Sequence, residues 1–119
     1  MKKLLVIAAL LAGFVSNAQD YDCEDLKNDI ERYGSKLDSD WYFDSSALSE
    51  IEWYRYSDSY YAIIEFTSSW DKYVYGRWNK NAYDQIKDGF EWDVIFEGSA
   101  GKAFHAWIRP NSNVGCLAD

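Results

Sequence analysis

The chain has 119 residues, 18% of them aromatic, with 12 basic against 20 acidic side chains and a formal net charge of -8. That length makes one domain with a modest core, and the acidity disfavours nucleic-acid binding, which needs a basic footprint on phosphate. The only histidine is His105, so neither a multi-histidine metal site nor a histidine proton relay is available.

Residues 1–18 read as a cleavable signal peptide. Lys2 and Lys3 form a positive start, Leu4 to Val15 an apolar run broken only by Gly13, and Ser16-Asn17-Ala18 supplies small residues where a signal peptidase cuts. The apolar run falls short of the roughly 18 to 20 residues that span a bilayer, so no stable membrane insertion is expected after cleavage. Asp20-Tyr21-Asp22 ahead of Cys23 is not a lipobox. Losing Lys2 and Lys3 leaves 10 basic against 20 acidic residues, a net charge near -10. The expected location is secreted or periplasmic. There, an even cysteine count favours a disulfide, here Cys23 with Cys116, tying the two ends together.

In residues 19–44, Cys23, Leu26, Ile30 and Tyr33 recur at helical spacing. They predict a helix over 23–33 with Asp22 as N-cap and Gly34 as its stop. Residues 35–46 read as polar and turn-rich. From Ala47 to Tyr56 the pattern is a strand, with Ile51 and Trp53 opposite Glu50 and Glu52. Ser57 to Ser59 turns into a second strand over 60–67, with Tyr60, Ala62, Ile64 and Phe66 on one side. Ser68 to Asp71 turns into a third over 72–76. Residues 79–87 predict a helix. Phe90, Trp92, Val94 and Phe96 then alternate with Glu91, Asp93, Ile95 and Glu97, the period of an extended segment or short strand. A last helix runs from about Ser99 to Ile108, stopped by Pro110. Residues 111–119 form a tail carrying Cys116. The fold class is α+β: a small antiparallel β-meander with helices packed on one face, plus an added N-terminal helix.

One ordered set of residues resembles the KTSC domain, a small bacterial module named after the C-terminus of some lysyl-tRNA synthetases. It comprises Ser46-x-Leu48-x-x-Ile51-x-Trp53, Ala62-x-Ile64-x-Phe66, Tyr73-Val74-Tyr75, and Ser99-Ala100-Gly101-Lys102-x-Phe104-x-x-x-Ile108-Arg109. The likeness covers about 45–110. Here Gly76-Arg77-Trp78 replaces that family's usual V-P step, and 90–97 reads as an insertion. The resemblance implies the fold and brings no established activity. The RNA binding suggested for the family conflicts with the acidity of this chain.

Tyr73 and Tyr75 have the pattern of a stacking platform for bases or sugars, or of core residues beneath a helix. Together with Trp70, Trp78 and Lys102 they make up the candidate binding residues. Ser99-Ala100-Gly101-Lys102 reads as helix capping more readily than as an anion site. Ser99 and His105 lie about 120° apart around a helix, which is poor geometry for a catalytic triad with an acid such as Asp93. Asp38-Ser39-Asp40 with Asp44 lacks the glycine and closing glutamate of a calcium loop. No nucleophile, metal set or cofactor loop is recognisable, so the chain is expected to be non-enzymatic, with no cofactor and no metal. Six tryptophans and ten tyrosines exceed what so small a core can enclose. The expected function is binding, to a protein and in particular a basic one, with glycan binding through exposed aromatics as the alternative.

Overall fold

A computed structural model describes residues 22–42 and 47–118. The signal segment at 1–18 lies outside the described residues, as does Asp44. Five strands form one antiparallel sheet in chain order: β1 (Ser35–Trp41), β2 (Leu48–Tyr56), β3 (Ser59–Phe66), β4 (Lys72–Trp78) and β5 (Val114–Leu117). Helix α1 (Cys23–Tyr33) precedes the sheet. Helices α2 (Lys80–Glu97) and α3 (Ala100–Ala103) lie between β4 and β5, and α3 continues through a π-helical turn, Phe104–Ile108, into a 3-10 turn, Arg109–Asn111.

The α+β expectation holds, with two more strands than the sequence pattern shows. The segment 35–46, read as turn, contains β1. Every side chain of β1 except Asp40 is exposed, so no apolar alternation marks it as a strand. The tail holds β5, where Val74 faces Cys116 and Tyr75 faces Gly115. Segments on both sides of the central meander therefore belong to its sheet.

Alternation along the strands divides the core into two layers. On one face Ile51, Trp53, Ala62 and Ile64 meet Tyr83, Ile86 and Phe90 of α2, with Phe104 and Ile108 from the last helix. Tyr60 stacks on Tyr83 with ring centroids 4.6 Å apart. On the other face Tyr54, Tyr61, Ile63 and Val74 are covered by Ile30 of α1 and by Val114 and Ala118. Fully burying one such isoleucine contributes about 2 kcal/mol, so Ile30 is the main apolar anchor of α1.

Helix α1 has the limits its residues predict: the Asp22 carboxylate accepts from the Glu24 N–H, and Gly34 ends the helix. A Cβ on Gly34 would come within 2.5 Å of the Ile30 carbonyl, so the stop works through close approach. The Cys23–Cys116 disulfide joins α1 to β5 across 93 positions, with Cα atoms 6.2 Å apart. At the β2–β3 turn Ser57 and Asp58 both have positive φ, the signature of a two-residue primed hairpin.

Residues 90–97 correct the sequence reading, because they are the second half of α2 rather than extended chain. Phe90 is buried and Val94 packs beside it one helical turn on, while Trp92, Ile95 and Phe96 turn outward. Gly89 interrupts the apolar pattern without breaking the helix. It is a notch, since a Cβ there would lie 2.4 Å from the indole of Trp107. That indole is held by a hydrogen bond from its Nε1 to Asp93 Oδ2 at 2.7 Å.

Candidate functional site

A bulge in β4 decides which of its aromatics reach a surface. Tyr60 pairs with Trp78 and Tyr61 with Gly76, so Arg77 is the extra residue, at φ 59°. The bulge turns Trp78 onto the α2 face, where it is only 2% exposed and donates from Nε1 to the Asn111 carbonyl at 3.0 Å. Its candidacy as a binding residue is therefore corrected: Trp78 is core. Gly76 sits at φ 133°, and a Cβ on it would approach the Tyr60 carbonyl to 2.6 Å, so the kink depends on glycine.

Upstream of the bulge, Tyr73 and Tyr75 project from the same face, two residues apart, with rings near parallel and centroids 6.2 Å apart. Tyr75 meets the edge of Phe104 at 5.1 Å, and Phe66 closes the set against Tyr73 and Phe104. These four rings wall a cleft of about 310 Å³ whose mouth carries Arg109 and Ser68. Tyr75 thus packs against Phe104 of the last helix, and both tyrosines line the cleft. Desolvation raises the Tyr75 pKa, the neighbouring Tyr73 adds to this, and Arg109 opposes it, so the phenol is neutral at physiological pH.

Sequence reasoning missed the π-helical turn that assembles this cleft. The Arg109 N–H bonds to the Phe104 carbonyl, an i to i+5 link. In a regular α-helix five positions would leave the two side chains about 140° apart. The π turn brings both to the same cleft. Trp70 belongs to the neighbouring β3–β4 turn, 63% exposed and beside Ser68 and Ser69 in sequence. Lys102 is exposed in the first turn of α3, where its N–H is capped by Ser99 Oγ at 3.1 Å. Ser99 is thereby the expected N-cap, and His105 lies exposed on the helix, as expected.

A second group of side chains joins β1 to α2. Asp38, Asp40 and Glu91 bring carboxylate oxygens within 4.8 Å of one another. Lys87 fills the place a cation would take, 2.9 Å from Asp38 and 2.7 Å from Glu91, with its ammonium over the Trp53 ring. Burial and the two neighbouring acids raise the Asp40 pKa, whereas the Lys87 hydrogen bond lowers that of Asp38. This is a structural ion cluster pinning an edge strand to a helix.

A third feature lies at the C-terminal half of α2. Trp92 and Phe96 stack at 4.9 Å with ring planes 4° apart, and Ile95 completes a patch on the same helix surface. The three are 57%, 72% and 71% exposed in that order. Asp88, Glu91, Asp93 and Glu97 flank them along the helix, with no basic residue between Asp88 and Gly98, although Glu91 is paired with Lys87 one turn earlier.

Among the described residues, fold and surfaces together define a disulfide-closed α+β domain that carries an aromatic cleft and an exposed aromatic patch on α2. The chain matches no family model, no curated protein and no solved structure.

Proposed function

We propose that this is an exported binding domain of the KTSC type that engages a basic protein partner through the α2 patch, without catalysis. The observation that supports it best is the Trp92–Ile95–Phe96 patch, which is apolar, exposed and flanked along the helix by Asp88, Glu91, Asp93 and Glu97. Contiguous aromatic surface of this kind is costly to leave in water and is typical of interface centres. The acidic rim complements a partner segment carrying lysine or arginine around an apolar stripe, and the mature net charge near -10 accelerates encounter with it. The disulfide accords with secretion or a periplasmic location, to which the signal pattern of residues 1–18 also points.

Glycan binding remains the second reading, favoured by Trp70 exposed beside the Tyr73–Tyr75 cleft. The two separate cleanly by experiment. A Trp92→Ser, Phe96→Ser double variant is expected to keep its thermal midpoint, because neither ring is buried. It should lose low-salt co-elution with a basic protein from the secreted or envelope fraction, and the wild-type complex should dissociate as salt rises. Retention of the complex by the double variant sinks the proposal. Loss on replacing Trp70 instead transfers the role to the cleft side.

A further inference from the structure

The cleft shares no residue with the α2 patch and has its own chemistry. Its walls are four rings and its one charged group is Arg109. Lys27, Lys36, Arg55, Lys80 and Lys87 each pair with a carboxylate, whereas Arg109, like Arg32 and Lys102, has no acidic partner among the described residues, and of these three it is the one that lines the cleft. In a chain with so many acids, an unneutralised guanidinium beside an aromatic cleft leaves an anion's place open. Guanidinium suits a carboxylate because its fork of donors meets both oxygens.

Size and surroundings narrow the ligand further. About 310 Å³ is at the small end of ligand clefts, room for one planar side chain and its main-chain end rather than a sugar chain. Gly115 pairs with Tyr75 across the sheet, and a Cβ there would lie 2.9 Å from the tyrosine ring, so the strand beside the cleft wall is kept low. Gly115 belongs to β5, the last strand of the sheet, whose outer edge has no neighbouring strand among the described residues. An extended chain can hydrogen-bond along such an edge while its last residue enters the cleft.

The geometry points to a chain-end receptor: we propose that the cleft binds the C-terminal residue of a partner polypeptide, its aromatic side chain among the four rings and its terminal carboxylate on Arg109. The π-helical turn is the device that makes this site, since it alone brings Phe104 and Arg109 to one side. A free aromatic acid has the same carboxylate and ring but lacks the chain that would lie along β5.

Calorimetric titration of the mature, disulfide-bonded protein distinguishes these cases. The probes are an acetylated pentapeptide of glycine and serine ending in phenylalanine, the same peptide as its C-terminal amide, and 3-phenylpropionate. The free-acid peptide is expected to bind about tenfold or more tightly than the amide, with only the acid weakening as salt rises. Arg109→Gln should abolish that preference and Arg109→Lys retain part of it, with both melting as the wild type because Arg109 is exposed. Equal binding of acid and amide, an unaffected Arg109→Gln variant, or no binding up to millimolar peptide overturns the proposal. Phenylpropionate binding as tightly as the peptide overturns the assignment to a chain end.

Discussion

At the scale of single residues, Lys87 shows how a half-buried cation can serve structure. Its ammonium is held by Asp38 and Glu91 and lies over Trp53, and its pKa is raised because those bonds outweigh burial. A raised lysine pKa contributes stability that is complete below the unfolded value and is lost as pH rises through the folded one. The lowered Asp38 pKa works at the other limit: its contribution is present above the ordinary carboxylate value and disappears as pH falls through the folded one. Asp40 has the opposite sign, because its raised pKa makes its ionised form a cost at neutral pH. Lys87→Met leaves three neighbouring carboxylates without their cation. The variant is expected to lose about 1 to 2 kcal/mol at pH 7, discounted for partial exposure. The deficit should shrink as pH falls into the carboxylate range, as read by urea unfolding at several pH values. A deficit that grows on acidification contradicts this account of the cluster.

At the scale of elements, α1 is held by one buried isoleucine and one covalent bond. Its other contacts are the partly buried Leu26 and Cys23. Replacing Cys23 and Cys116 together by alanine reopens a loop of 93 positions and should cost about 2 to 4 kcal/mol. Because β5 has only four residues, α1 and β5 are expected to lose amide-exchange protection before β2 and β3 do. Equal protection of all elements in the variant contradicts this order of stability.

How far each element was legible follows from the same physics. Helix α1 was readable because its apolar residues recur at three and four positions between a capping aspartate and a glycine. Strand β2 was readable because Ile51 and Trp53 alternate with Glu50 and Glu52, and β3 because both its faces are core and its middle is a continuous apolar run. Strand β1 was not, since an edge strand with both faces largely wet carries no alternation. The second half of α2 was misread because Phe-Glu-Trp-Asp alternates at period 2, although Phe90 with Val94 and Trp92 with Phe96 each obey the helical spacing of four. The notch that Gly89 provides for Trp107 is a tertiary fact with no local sequence sign. At the cleft, Tyr73 and Tyr75 stood out from their pattern. Phe104 and Arg109 could not be placed beside them, because regular helical geometry separates the two and only the π turn unites them. Trp78 falls beyond the predicted third strand at 72–76, whereas β4 continues through its bulge to Trp78 and buries it on the α2 face.

At the scale of the whole molecule, the charged and aromatic surfaces form a coherent arrangement. The helices of one face cover the larger core and leave two aromatic features outside it, the cleft beside β4 and the patch on α2. The other face is sealed by α1 and the disulfide, which suits a small domain working outside the reducing cytosol. Binding through α2 is the central claim, and a photo-crosslinking amino acid at position 95 tests it most directly. In cells producing the full chain, illumination should yield one adduct with a basic protein. Its yield should fall on raising salt and in a Trp92→Ser, Phe96→Ser background. The same crosslinker at exposed position 58, on the β2–β3 turn, should give no such adduct. Absence of an adduct from position 95, or an equal adduct from position 58, would contradict the claim.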